Sequence, residues 1–348
     1  MDEQERSIPI LRSILFVPAI VERFVARAPD TGTDVICLDI EDSVPPAEKA
    51  RARELAAEAI DTLSACGRPL FVRVNALHTG LLEDDLLAIV RPGLDGIMLS
   101  KTDSAETVRR VGHYLTILER RQEMERGAVA ILPLVESAEA ILNANEIAAA
   151  SSRLVALSLG AEDLAVDMGL QRTAGAREIE WPRAQLAVAA IANGLIAIDT
   201  PEPDYTDLEH LERDSAFARS LGFRGKYCIH PGQVEIVNRV FSPSDEEIAE
   251  ARDIVRLLEH EGIAKGRAAI PVNGKMIDTP IYWRAKRLIE WAESALPAAK
   301  EEIEPGFAHH ETTEFPLIKD DGKFVRVVVG SLYGETSPVP TEIGRAHV

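Results

Sequence analysis

The sequence predicts an α/β chain built on a (β/α)8 (TIM) barrel, and three observations predict it. Short Val-, Ile- and Leu-rich runs alternate with longer stretches rich in Ala, Leu, Glu and Arg, the mark of βαβ units on a parallel sheet. Eight such runs precede a change of pattern near residue 240. Charged and amide side chains collect directly after these runs, where a closed barrel places its chemistry. An open doubly wound sheet would carry a glycine fingerprint after its first strand, and none follows here.

In chain order the expected strands are Ser13–Pro18, Val35–Asp39, Leu70–Val74, Gly96–Leu99, Ala130–Val135, Leu154–Leu159, Ile196–Asp199 and Gly225–Ile229. Helices are expected between them, among them Pro46–Ala65, Ala105–Arg126 and Ser137–Ala150, where good helix formers recur at helical spacing. Beyond the barrel, Phe241-Ser-Pro-Ser-Asp245 reads as the cap of a helix running to about Glu261. A Gly- and Pro-containing stretch, Gly262 to Pro280, leads to an amphipathic helix from Ile281 to about Ser294, and composition shifts again at Leu296-Pro-Ala-Ala-Lys300. The tail carries one clear strand, Phe324-Val-Arg-Val-Val-Val329, bounded by Gly322 and Gly330. The expected division is therefore a catalytic barrel over 1–240, a helical lid segment over 241–297 and a strand-rich tail over 298–348, too short to form a core alone.

Composition narrows the function. The 348 residues are 46% apolar and 27% charged, as in ordinary globular proteins. The longest apolar stretch, Ala187 to Ile198, is interrupted by Asn193 and Gly194 and falls short of a bilayer span, so no membrane segment is expected. The polar, acidic N-terminus lacks the form of a secretory signal, which points to the cytoplasm. Three cysteines, Cys37, Cys66 and Cys228, cannot all pair, and two of them sit in apolar runs as buried thiols do. A net charge of −19 disfavours nucleic acid, so any phosphorylated ligand must meet a local basic spot.

The rim residues carry the candidate chemistry: Asp39, Glu41 and Asp42 after the second strand, Arg73 and Asn75 at the third, Lys101 after the fourth. Glu136 follows the fifth, Glu162 and Asp163 the sixth, Asp199 closes the seventh and His230 follows the eighth. Glu136 and Asp163 suit a hard cation such as Mg2+, which takes one or two carboxylates and fills its octahedron with water and substrate oxygens. Either alone would serve equally as a helix cap or ion-pair partner. Arg73, in an otherwise apolar strand, must find anions; it can pair with Asp39 or Glu41 and also hold a substrate carboxylate or oxyanion in bidentate fashion.

Six ordered motifs raise this above any one residue: Ser13-Ile-Leu-Phe-Val-Pro18, Leu38-Asp-Ile-Glu-Asp-Ser-Val44, Val72-Arg-Val-Asn75, Gly160-Ala-Glu-Asp-Leu164, Gly225-Lys…Ile229-His-Pro231 and Gly274-Lys-Met-Ile-Asp278. Together, from about Arg12 to Ser294, the chain resembles the citrate lyase beta-subunit-like CoA-ester lyases, which include malyl-CoA and citramalyl-CoA lyases. That resemblance implies a (β/α)8 barrel, a homotrimer or hexamer, and cleavage or formation of a 3-hydroxyacyl-CoA, with an acyl-CoA thioester and a 2-keto acid as partners and Mg2+ as cofactor. It implies Glu136 and Asp163 as metal ligands, Arg73 at the keto-acid oxygen, and Asp39, Glu41 and Asp42 as acidic support. Asp278 corresponds to the catalytic acid on a lid that reaches a neighbouring subunit; Thr279-Pro280 behind it also makes it a candidate helix cap. His230 and Lys226 read as barrel-closing structure.

The first loop departs from the family pattern: Phe16-Val-Pro-Ala19 runs into Ile20 and Val21, leaving Arg23 and Arg27 as substitutes for the basic residues that meet CoA phosphates, or as solvated helix residues. Ser100-Lys101 stands where the family commonly has Pro-Lys. A malyl-CoA-type thioesterase and an acyl-binding accessory subunit of a citrate lyase-like complex are the alternatives the same motifs admit. The tail from about Pro305 to Val339 resembles a short internal piece of pirin-like cupins without their metal-binding histidines; His309 and His310 are not expected to hold a metal.

Overall fold

In a computed structural model, which describes residues 11–272, 274–295, 314–318 and 324–328, the chain forms two compact units, Met1–Pro297 and Ala298–Val348. The first contains a closed parallel barrel in sequence order: β1 (Ser13–Pro18), β2 (Val35–Asp39), β3 (Leu70–Val74), β4 (Gly96–Leu99), β5 (Ala130–Val135), β6 (Ala156–Leu159), β7 (Ile196–Asp199) and β8 (Gly225–Cys228), with β8 returning to pair with β1. Around it run α1 (Glu22–Arg27), α2 (Lys49–Leu63), α3 (Leu82–Ile89), α4 (Ala105–Arg121), α5 (Ala138–Leu142), α6 (Ala144–Ala148), α7 (Ala161–Asp167), α8 (Glu180–Ala192), α9 (Leu208–Ser220) and α10 (Val234–Val240).

The strands are buried on both faces, which is why they read as continuous apolar runs rather than alternating ones. Successive side chains nonetheless point to opposite sides. Ile14, Val35, Cys37, Phe71, Met98, Leu132, Leu134, Ile198 and Tyr227 fill the barrel interior. Their neighbours, such as Ile36, Leu38, Val72, Ile97 and Leu157, pack outward against the helices in a larger core. The helices bury one stripe each: in α4 it is Ala105, Val108, Val111, Leu115 and Glu119. Closure demands a glycine at the start of β8, where a Cβ on Gly225 would lie 1.9 Å from the Leu11 carbonyl oxygen.

Several expected boundaries move: β8 ends at Cys228, one residue before the expected Ile229, and α2 begins at Lys49 behind a 3-10 turn and ends at Leu63, inside the expected Pro46–Ala65. Leu154 makes only a single bridge, to Ile131, and β6 starts at Ala156. The Ser137–Ala150 helix is broken at Asn143, whose side-chain amide leaves the helix to donate to the Asp103 carbonyl at 3.0 Å. α4 stops at Arg121, and Glu123 takes a left-handed φ of 55° two residues on.

After the barrel come α11 (Asp245–Leu257), a hairpin of β9 (Ala269–Val272) and β10 (Lys275–Asp278), and α12 (Thr279–Ala295). The expected cap is present as a reciprocal box: Ser244 Oγ accepts from the Glu247 amide and Glu247 Oε2 accepts from the Ser244 amide. Leu258, Ile270, Ile277 and Tyr282 form this segment's own apolar cluster. In the second unit β11 (Glu314–Ile318) and β12 (Phe324–Val328) pair antiparallel. His309, His310 and Leu296–Lys300 lie outside the described residues. Among the described residues no helix is long and apolar enough to cross a membrane.

Candidate active site

The interior side of each strand sets the site. Two residues beyond Cys37 on the inner face of β2 comes Asp39, two beyond Phe71 on β3 comes Arg73, and two beyond Leu134 past β5 comes Glu136. Asp39 and Arg73 are also register partners across β2 and β3. Arg73 Nε donates to Asp39 Oδ1 at 2.8 Å and Nη2 to Oδ2 at 2.6 Å, a two-point fork. Its Nη1 lies 3.5 Å from Glu41 and 3.8 Å from Asp42. Beneath it is Phe16, whose ring centroid is 4.4 Å from the guanidinium carbon, and Phe16 in turn packs on Tyr227 at 4.9 Å.

Burial opposes the charge on Arg73, but Asp39, with Glu41 and Asp42 beyond it, outweighs burial and raises the guanidinium's pKa. The same pairing overcomes burial at Asp39 and holds its carboxyl below the ordinary value. Glu41 goes the other way: burial, and the Asp42 charge, raise its pKa against the pull of Arg73 and Lys101.

Lys101 joins the two halves of the mouth. It takes a left-handed φ of 49°, which turns its amide to Glu136 Oε1 at 2.7 Å and its ammonium to Glu41 at 3.1 Å, Asp163 at 3.6 Å and Asp42 at 3.9 Å. Glu136 and Asp163 are thereby brought to one place. Glu136 is 5% exposed, and burial first, then the Asp163 charge, push its pKa well up. Asp163 sits in the first turn of α7, whose N-cap is Gly160; a Cβ there would meet Glu136 Oε2 at 2.4 Å. Glycine lets the α7 terminus close over the Glu136 carboxylate.

The donor set fits a hard divalent cation. With all ionised, Asp39, Glu41, Asp42, Glu136 and Asp163 face Arg73 and Lys101, a formal −3 that a divalent ion would bring to −1. Among the described residues no three His, Cys, Asp or Glu side chains converge as a preformed metal cage. A two-carboxylate Mg2+ site completed by water and substrate oxygens needs none.

Other expected residues fall elsewhere. Asn75 is buried, and its side-chain amide donates to Asp85 at 2.7 Å and to the Ile40 carbonyl at 3.2 Å, so here it braces the loop behind Asp39. Arg23 and Arg27 are exposed on α1, with Arg23 lying over its neighbour Phe24. Asp199 points outward into a buried network: Arg183 and Lys226 both bond Asp199 and Asp214, which makes Lys226 structural as expected. His230 accepts from the Gly232 amide and stacks on Tyr205. Asp278 ends β10, and its Oδ1 accepts from the Ile281 amide at 3.2 Å, so in this structure it makes the helix-cap contact that was the alternative to its expected role as catalytic acid.

Lys101 as the hub was not legible as such; the sequence placed it on the rim without its partners. Tyr227, whose buried hydroxyl lacks a partner in good geometry, was missed because only the closed barrel brings it within electrostatic reach of Arg73 and Glu136; Ser100, noted in the sequence only for the Ser-Lys pair, is fully buried with an unpartnered hydroxyl.

A closed parallel barrel whose mouth gathers five carboxylates around an arginine and a lysine has the form of a barrel enzyme with its chemistry at the C-terminal face. The chain belongs to the HpcH/HpaI aldolase/citrate lyase family, matched over residues 12–231. It is similar to the citrate lyase beta subunit of Leuconostoc mesenteroides, 35% identical over 283 residues that span 81% of this chain and 93% of that one. It is also 36% identical over 296 residues to the L-malyl-CoA/beta-methylmalyl-CoA lyase of Cereibacter sphaeroides, spanning 79% of this chain and 91% of that one. Among solved structures, it is similar to Mycobacterium tuberculosis CitE in complex with magnesium, acetoacetate and coenzyme A. The identity is 30% and the TM-score 0.66, over 80% of this chain and 97% of that one. The family and the barrel expected from the motifs are both found.

Proposed function

We propose that this chain is a Mg2+-dependent carbon–carbon lyase that cleaves, or in reverse forms, a 3-hydroxyacyl-CoA such as malyl-CoA or citramalyl-CoA, giving an acyl-CoA and a 2-keto acid. The observation that carries the reading is the meeting of Glu136 and Asp163 around Lys101, across the mouth from the Arg73–Asp39 fork. The sequence relatives include a malyl-CoA lyase, and a solved structure similar to this chain holds magnesium with coenzyme A.

Glu136 and Asp163 would hold the metal, and bound there Mg2+ would supply Lewis-acid polarisation and lower the pKa of a substrate hydroxyl. Arg73, fixed by Asp39 so that Nη1 faces the mouth, orients the substrate carboxylate and stabilises charge on the oxygen that becomes the ketone. Glu41 and Asp42 hold Lys101 and Arg73 in that geometry and contribute only through them. In cleavage the hydroxyl passes its proton to solvent water, its carbon becomes the ketone of the 2-keto acid, and the carbon–carbon electron pair passes to the thioester as an enolate. That carbon takes a proton from an acid, and Asp278 is the proposed donor, reaching the mouth of a neighbouring copy in a trimer or hexamer. Arg23 is proposed as a further substrate contact, while Asn75, held by Asp85 and the Ile40 carbonyl, acts only by bracing the loop behind Asp39. The barrel over 1–240, the lid segment over 241–297 and the tail over 298–348 are proposed as working units, and the free thiols Cys37, Cys66 and Cys228 suit a reducing cytoplasm.

The test is metal binding coupled to turnover. Glu136→Gln and Asp163→Asn should each weaken Mg2+ binding by about 100-fold or more, read by calorimetry, and lower lyase turnover in parallel. Unaltered Mg2+ affinity in both variants rejects the assignment.

A further inference from the structure

A cavity of about 440 Å³ lies between the last turn of α9, the N-terminal end of β8 and one face of α12. It is at the opposite end of β8 from His230 and thus away from the barrel mouth. Four arginines line it, Arg219, Arg224, Arg284 and Arg287, together with Trp283 and Trp291. On a chain of net charge −19 this is a local reversal of sign.

The arginines are short of negative charge. Arg219 has Glu247 at 2.8 Å. Arg224 lies over Trp291 at 4.0 Å, and burial, followed by the like charge of Arg219, lowers its pKa. Among the described residues no carboxylate lies within 4.0 Å of Arg224, Arg284 or Arg287. Arg284 and Arg287 stand three residues apart on one face of α12, both exposed, beside Trp283, which is 46% exposed.

We propose that this cavity binds a nucleoside polyphosphate, its phosphates on the four arginines and its base against Trp283. Guanidinium forks match phosphate oxygens in two-point contacts, and crowded guanidiniums gain most from an anion of several charges. The volume falls in the range of about 300–1,000 Å³ usual for small-molecule pockets and far exceeds a lone phosphate. Stacking of a base on an exposed indole gives such a ligand its second anchor. The inference stands on this cavity alone and does not depend on the lyase reading.

Two of the three tryptophans line the cavity, so intrinsic fluorescence reports on it. The full-length chain is titrated with ATP, inorganic tripolyphosphate and adenosine, by fluorescence and calorimetry. ATP should bind saturably and at least about tenfold more tightly than either fragment. The double variant Arg284→Gln/Arg287→Gln should weaken ATP by at least about tenfold with the KM for the CoA ester unchanged, and Trp283→Leu should remove the advantage of ATP over tripolyphosphate. No saturable ATP binding, or an unchanged Kd in the double variant, overturns the proposal. So does a raised KM for the CoA ester in that variant, which would make the cavity part of the substrate's own path.

Discussion

Gly160 shows how much of the site rests on single residues. Its φ of −106° is open to any residue, so what it supplies is space. A methyl group there would sit 2.4 Å from Glu136 Oε2 and 2.7 Å from Glu136 Cβ, and the carboxylate would have to move. Gly160→Ala is therefore expected to cost about 1–3 kcal/mol in stability and to lower kcat/KM by about 100-fold, since displacement of a metal ligand by an ångström misplaces the reacting groups. Denaturant unfolding and steady-state kinetics check both; wild-type kinetics would remove Glu136 from the machinery. Glu136, Asp163 and Arg73 stood out in the sequence as charged residues just after an apolar run or, for Arg73, within one. Lys101 was legible only as a rim residue: its left-handed φ, which aims amide and ammonium at opposite carboxylates, leaves no trace in a Ser-Lys pair.

At the scale of elements, the strands were nearly all legible because burial on both faces writes each as a short apolar block. Their two sides were not, because that pattern does not show which residue faces inward. Asp199 is the instructive case. It ends its strand as Asp39 does, yet faces outward, where Arg183 of α8, Asp214 of α9 and Lys226 of β8 lock the helix layer to the barrel. Lys226→Met should leave that buried network with excess negative charge and destabilise the chain by about 3–5 kcal/mol, seen as a lower denaturation midpoint. In this network Lys226 and Arg183 overcome burial and depress the pKa of Asp214 far below its unfolded value near 4. A depressed carboxylate stabilises the fold fully above about pH 4 and loses that contribution as pH falls further. Acid unfolding should therefore begin below about pH 4 in the wild type, and a Lys226→Met variant should show a weaker acid dependence; an equal dependence would contradict the coupling. The broken helix at Asn143 escaped detection because the cause is a contact with Asp103, distant in sequence.

For the molecule as a whole, charge is distributed by function. A net −19 is concentrated in part at the mouth, where the acids exceed the cations, while the arginine cavity lies at the other end of β8. The mouth can do carbon–carbon chemistry only if that acidic excess is answered by a divalent ion. The most direct measurement is product analysis of malyl-CoA and citramalyl-CoA turnover by the purified chain, with Mg2+ supplied and then removed by chelator. An acyl-CoA and a 2-keto acid should form in equal amounts, with turnover abolished by chelation and restored by Mg2+. Free CoA with an intact hydroxydiacid, or turnover indifferent to the metal, would contradict the lyase reading.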